Sequence, residues 1–238
     1  MKEKRSFKQY KPLNVALTVV FIIAVALLII TCSIGVPIYF RFLYYIQIKT
    51  LGMEKATGWD YATIKGAYDD VLNYLTLPGR QFGTGKLKWS EDGAAHFADC
   101  KVLFDLNFWV MLVSAAITAT LAILHRFNVI TVLRPFGHRA YFLAAIIAVV
   151  LPVVVGIACA IDFDKAFEVF HTVFFPGKTN WMFDPRTDQI IDVMPEQFFM
   201  NCAIIIGVTL VAIASSLVTA DIILTHKEKK NKKGLKTQ

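Results

Sequence analysis

An all-α membrane protein is predicted for this 238-residue chain, with four transmembrane helices and two helical extracytoplasmic loops forming a cap. Three observations predict it. Four stretches without Asp, Glu, Lys or Arg, 14–40, 106–124, 141–161 and 198–220, each approach or exceed the ~20 residues needed to cross a ~30 Å hydrocarbon core. The basic residues segregate into alternate polar segments. The remaining polar segments, 41–105 and 162–197, carry helical periodicity and turn signals of their own. Lipid offers no hydrogen bonds to a backbone, so all four apolar stretches should be helical. Their lack of charge excludes an ion path or voltage sensor built from intramembrane charges.

The N-terminal tail 1–13 carries Lys2, Lys4, Arg5, Lys8 and Lys11, and the 125–140 segment carries Arg126, Arg134 and Arg139. The C-terminal tail 221–238 adds Lys227, Lys229, Lys230, Lys232, Lys233 and Lys236. These three segments hold fourteen basic and three acidic residues, leaving eleven basic and fifteen acidic for the other two, so the net +7 divides into +11 and −4. The positive-inside rule then puts both termini and 125–140 in the cytoplasm. The basic balance reports topology and contact with anionic membrane lipids, and no nucleic-acid partner is expected. The Lys-rich tail after Asp221 reads as disordered along the inner leaflet.

The first stretch, of about 27 residues, exceeds the 7–15 of a signal-peptide core. Ile29-Ile30-Thr31-Cys32 loosely resembles a lipoprotein signal box, but apolar residues continue past Cys32, so the segment is an anchor. In 41–105, Tyr44 and Tyr45 follow Arg41 as an interfacial belt. Asp60 then caps a helix with Tyr61, Ile64, Tyr68, Val71, Leu72 and Leu75 at 3–4 spacing, ended by Pro78 and Gly79. The Gly83, Gly85 and Trp89 region reads as a loop or short hairpin. Ser90 caps a helix that runs on into the second span, with Asp92, His96, Asp99 and Leu103 in one stripe. In 162–197, Asp164 is the expected cap of a helix carrying Phe167, Phe170, His171, Phe174 and Phe175, with Gly177 as its stop. Pro195 opens the last span.

His96 and His171 are the candidate chemistry. Both belong to outward segments close to a span, and each has a carboxylate three residues away, Asp99 and Glu168. Such a carboxylate can hold one ring nitrogen and leave the other free for proton transfer. A packing role is the plain alternative. A metal site is the other, but HxxD and ExxH are looser than HExxH and the outward segments hold no third histidine, so no metal is expected. His125, His138 and His226 belong to the inner face. Cys32, Cys100, Cys159 and Cys202 allow two disulfides or four small packing residues, and no CxxC spacing suggests zinc or haem. A Ser or Cys nucleophile stays open, since Cys100 is one residue beyond Asp99, but no GxSxG-type elbow supports one.

The run Ser90–Lys101, SEDGAAHFADCK, resembles the H-[MF]-x-D-V-K motif of the four-span bacterial membrane family that includes the lipoprotein intramolecular transacylases. Ala166–Phe199, AFEVFHTVFFPGKTNWMFDPRTDQIIDVMPEQFF, resembles that family's second motif, built around F-H-x-[LV]-F-F, a Trp, D-P and P-x-x-F-F. Tyr68–Leu75, YDDVLNYL, is also similar. Cys100 stands where the first motif has an aliphatic residue. The resemblance implies residence in the bacterial cytoplasmic membrane and a diacylglyceryl-modified lipoprotein as substrate partner. The implied reaction moves the sn-2 acyl chain of the diacylglyceryl-cysteine to its own α-amino group, giving a lyso-form lipoprotein. It needs no cofactor, because an ester becomes an amide within one molecule. One of His96 and His171 would then be base and the other acid, with Asp99 orienting His96. Arg41, Asn180 and Trp181 would shape the pocket, although Arg41 and Trp181 also read as interface anchors. The rival readings are a non-enzymatic receptor or assembly partner with ligand-binding outer loops, and a metal-dependent membrane hydrolase.

Overall fold

The structure, a computed structural model, describes residues 11–234. No strand occurs among these residues. The basic side chains of Lys2, Lys4, Arg5, Lys8 and Lys236, read above as cytoplasmic, lie outside the described residues. The helices are α1 (Pro12–Tyr39), α2 (Phe42–Thr50), α3 (Met53–Thr57), α4 (Tyr61–Thr76), α5 (Glu91–Arg126), α6 (Ala140–Ile161), α7 (Phe163–Phe174), α8 (Ile190–Val193) and α9 (Glu196–Gly234), with a 3-10 turn at Pro135–Gly137. α1, α5, α6 and α9 are long and apolar enough to cross a membrane. They leave Val113, Ile147, Val154 and Val208 exposed, as lipid-facing side chains must be.

The chain divides into two compact units. One comprises 11–33, 110–153 and 207–234 of the described residues. Its core joins Phe21, Ile22, Val25 and Ile29 of α1 to Ala144, Ala145 and Ala148 of α6 and to Leu210 and Ala214 of α9. The α6 alanines are fully buried, because small side chains let helix backbones approach closely where lipid supplies no hydrophobic drive. Polar groups on α1 are satisfied locally: Thr18 donates to the Asn14 carbonyl at 2.7 Å and Ser33 to that of Ile29 at 2.8 Å. The segment after Asp221, expected to be disordered, is helical to Gly234. Glu228 holds Arg134 at 2.7 and 3.0 Å and Arg139 at 2.6 Å, which anchors a Lys-rich stretch of good helix propensity.

The other unit comprises Ile34–Trp109 and Val154–Ile206. The expected stripe of α4 is buried here, with Ile64, Tyr68, Val71, Leu72 and Leu75 packed against Ile48, Met53, Ile190, Val193 and Phe198. Asp60 caps α4, accepting from the Thr63 N–H at 2.7 Å. Tyr44 is a correction. It is 1% exposed rather than part of an interfacial belt. Its ring stacks on Tyr68 at 3.6 Å and its hydroxyl donates to the Val193 carbonyl at 2.6 Å, so both its apolar body and its polar tip are satisfied inside. A second correction concerns α7, which is capped by Asp162, accepting from the Lys165 N–H at 2.9 Å, not by Asp164. Residues 80–90 contain no strand; Thr84 donates to the Leu87 carbonyl at 2.8 Å and folds them as a loop. All four cysteines are free.

Candidate active site

The N-terminus of α5 is fixed from the 162–197 segment. Asp188, 4% exposed, accepts from the Ser90 N–H at 2.8 Å and from its hydroxyl at 2.9 Å. The Ser90 Oγ accepts in turn from the Gly93 N–H at 3.0 Å, capping the helix. A Cβ on residue 93 would collide with Asp188 Oδ1, so glycine is needed for this approach. The clamp sets the rotation of α5, and His96 follows about one turn later.

His96 and His171 are brought together. Their ring centroids lie 5.6 Å apart, and the two residues are 6% and 5% exposed. Phe175 and Phe183 stand edge-on to His96 at 5.1 and 5.5 Å. Trp181 stacks on His171 at 4.5 Å, and Phe167 lies against its ring at 4.2 Å. Trp181 is itself held by its indole N–H, which donates to the Lys178 carbonyl at 3.1 Å. Burial in this aromatic box lowers both imidazole pKa values. For His96, desolvation, reinforced by the neighbouring His171, brings it down to about 4. Both rings are therefore neutral at pH 7, each with one N–H and one lone pair.

The tautomer of His171 follows from its partner. Nδ1 lies 2.7 Å from the Phe167 carbonyl oxygen, which can only accept, so Nδ1 carries the proton and Nε2 the lone pair. Nε2 is thus a base with its orientation fixed. His96 is held through Nε2, 3.3 Å from the Cys100 sulfur, while its Nδ1 is buried without a partner among the described residues. The Asn180 side-chain oxygen is also buried and unpartnered. Such groups are rare in a folded protein and mark where a bound molecule would supply the missing bond.

The carboxylates take other partners. Asp99 is bound by the Lys178 ammonium and by the Asn180 amide at 3.5 Å, rather than by the His96 ring. Burial alone would raise its carboxyl, but Lys178 and Asn180 outweigh that and hold it below the usual range. Its charge remains near His96 and opposes part of the desolvation there. Glu168 pairs with Lys165 at 2.6 Å. Asp92 is exposed. Arg41 belongs to a separate network, donating to Asn73 at 2.8 Å and Asp69 at 3.3 Å, with Tyr45 and Lys65 also on Asp69. Sequence reasoning leaves Cys100 only as an open nucleophile beside Asp99 and does not find Lys178, Phe175 and Phe183 as site residues. Cys100 has a local signal, as the i+4 neighbour of His96 on one helix face; Lys178 has none. Among the described residues, no group of three or more His, Cys, Asp or Glu side chains could hold a metal ion.

A family model described as lipoprotein intramolecular transacylase Lit matches residues 19–199. The chain belongs to that family. Among solved structures it is similar to the membrane-integral lipoprotein intramolecular transacylase of Bacillus cereus, with a TM-score of 0.80 and 25% identity, covering 92% of this chain and 98% of that one. Two variants of the B. cereus enzyme, with a histidine replaced by arginine or by alanine, match at a TM-score of 0.77 and 23% identity. They cover 97% and 95% of this chain and 99% of theirs. No curated protein sequence matches. As a member of the lipoprotein transacylase family, the chain is a multi-pass membrane acyltransferase.

Proposed function

We propose that this transacylase moves the sn-2 acyl chain of a diacylglyceryl-cysteine to the α-amino group of the same cysteine, with His96 and His171 carrying the chemistry. The observation that carries the reading is the pair of neutral imidazoles in one aromatic box, each with a ring nitrogen turned away from its structural partner. The amine nitrogen attacks the ester carbonyl carbon and His171 Nε2 takes the proton the amine loses. The tetrahedral oxyanion collapses, the bond from carbonyl carbon to glycerol oxygen breaks, and protonated His171 returns its proton to that oxygen. An α-amine with pKa near ~8 has an appreciable neutral fraction at pH 7, so little activation is needed. Alignment and oxyanion stabilisation are the harder tasks. His96 cannot hold an extra proton at neutral pH, so its role is at the carbonyl and not as a stored acid. Trp181 and Asn180 line the site, and Asp99 acts on it through Lys178 and Asn180. The aromatic surface accepts the acyl chains.

In this reading the protein resides in the bacterial cytoplasmic membrane with both termini inside, supported by the +11 and −4 division of charge. The site then faces the outer leaflet, where diacylglyceryl lipoproteins are anchored. Cysteines placed at the exposed positions Lys86 and Arg186 should react with an impermeant thiol reagent in intact cells, and one at Lys230 should not, in a background without the native cysteines. The reverse pattern would remove the assignment. For the reaction, purified protein in lipid should convert a synthetic diacylglyceryl lipopeptide to an isomer of equal mass. Tandem mass spectrometry should locate one acyl chain on nitrogen. Unchanged substrate with folded enzyme would sink the reading.

A further inference from the structure

The tautomer of His96 is set by a device of a different kind from that of His171. Cys100 lies one turn after His96 on α5, with Sγ 3.3 Å from Nε2. A thiol has one proton to donate, and sulfur is a weak acceptor, whereas an imidazole lone pair is a strong one. The pair is therefore ordered as S–H donating to Nε2, not as N–H donating to sulfur. Burial, aided by the Asp99 charge, pushes the Cys100 thiol up to about 12, so the donor proton is present throughout the physiological range. A neutral ring that accepts at Nε2 carries its own proton on Nδ1. That N–H is buried and has no partner among the described residues.

We propose that Cys100 is a positioning residue: its thiol locks His96 in the Nδ1–H tautomer, so that His96 donates a hydrogen bond to the carbonyl oxygen under attack. The inference rests on the transacylase reading and concerns a residue particular to this chain, since the family's first motif has an aliphatic residue at this position. His171, whose Nδ1–H is tied to the Phe167 carbonyl, presents a lone pair to the amine. His96, whose Nε2 is tied to the thiol, presents a proton to the oxyanion. Both rings are turned by a group four residues away on their own helix, and the two locks act on opposite nitrogens. A neutral imidazole is suited to the donor task, because it can stabilise negative charge without first being protonated. The same ordering makes Cys100 a poor nucleophile, since a protonated thiol attacks slowly.

The test uses full-length protein, labelled with 15N in its histidine rings, in lipid nanodiscs. The His96 signals are assigned by difference from His96→Ala. Wild-type His96 should show Nδ1 protonated and Nε2 unprotonated. Cys100→Val, which keeps the shape and removes the donor, should populate the Nε2–H form and lower kcat about tenfold with KM unchanged. Cys100→Ser should restore both the Nδ1–H form and most of kcat. Thermal unfolding of both variants should match wild type, which separates a lost tautomer from a lost fold. An Nε2–H tautomer in active wild-type protein overturns the lock alone, as does an unaltered tautomer in Cys100→Val. A shifted tautomer with unchanged kcat overturns the donor role. Wild-type protein that forms no N-acyl product overturns the transacylase reading beneath it, and the donor role with it.

Discussion

His138 and His96 each lie near a carboxylate, yet the protein treats the two rings in opposite ways. His138 Nδ1 meets Asp221 at 2.6 Å, and its ring stacks on Phe142 at 4.2 Å. Asp221 is fully buried and also accepts from the Arg139 backbone and guanidinium, each at 3.1 Å. Around His96 the nearby carboxylate turns instead to Lys178, the ring is buried, and one of its nitrogens has no partner among the described residues. Where a ring nitrogen is tied to a buried carboxylate, as His138 is to Asp221, the histidine fastens a connecting segment to a helix. Where one is withheld inside an apolar box, the ring is available for chemistry, and the fold carries the cost of leaving it so.

The largest expected effects test this contrast directly. His171→Ala should lower transfer by ~10²–10⁴-fold, the range for general acid–base groups, and His96→Ala by ~10²–10³-fold, the range for an oxyanion donor, each leaving the melting temperature near that of wild type. His138→Ala should leave turnover per folded molecule nearly unchanged. If His138→Ala abolished transfer in well-folded protein, the contrast would be wrong.

Asp221→Ala should do the reverse. It takes the carboxylate from the His138 ring and the Arg139 backbone N–H while Arg139 keeps Glu228, so thermal unfolding should shift down by less than the about 3–5 kcal/mol of a fully buried pair, with activity per folded molecule intact. Stability equal to wild type would show that the cluster is solvated.

The pH profile sharpens the comparison further. Burial holds His171, the base, below the ordinary histidine value and His96 at about 4, so the acid limb of kcat/KM should follow the substrate amine, near pH ~8, and not an ordinary histidine. Replacing the substrate by one with a less basic amine should move that limb; a limb fixed near the ordinary imidazole value of 6.5 would assign it to the enzyme. The same depressed pKa makes the unfolded chain bind a proton that the folded chain refuses. The His96 contribution to stability is therefore intact above pH 6.5 and is lost as pH falls toward 4.

Trp181→Leu should lower kcat about tenfold by freeing the His171 ring, whereas Arg41→Met should act on melting temperature through Asp69 and Asn73 and leave kcat nearly intact. A large kcat loss from Arg41→Met would place that guanidinium on the substrate. The smallest effect belongs to Lys178→Met. Its ion pair with Asp99 is half exposed, and such pairs contribute little, so a few-fold loss of turnover is expected, with the His96 pKa drifting upward as one opposing charge disappears. A loss as large as that of His171→Ala would make Lys178 part of the chemistry.

The sequence by itself determined the four apolar helices, the α4 stripe and the Asp60 and Ser90 caps, and it singled out the two histidines as candidates. Each follows from local physics: an unbroken apolar run, a 3.6-residue period, a polar side chain beside free N–H groups. It did not place Tyr44, because a tyrosine reads alike at an interface and in a core until a carbonyl such as that of Val193, 149 residues away, is brought to its hydroxyl. Nor did it place the partners of the carboxylates. Spacing offered Asp99 and Glu168 to the histidines, but side-chain reach and competition gave them to Lys178 and Lys165. Asp162 took the cap expected of Asp164 because its backbone is extended at the helix entry. What only the tertiary structure decided is which nitrogen of each ring remains free. That depends on hydrogen-bond geometry to Phe167 and Cys100 and on the aromatic box that keeps both rings neutral, and neither burial nor proton position is written in the order of residues.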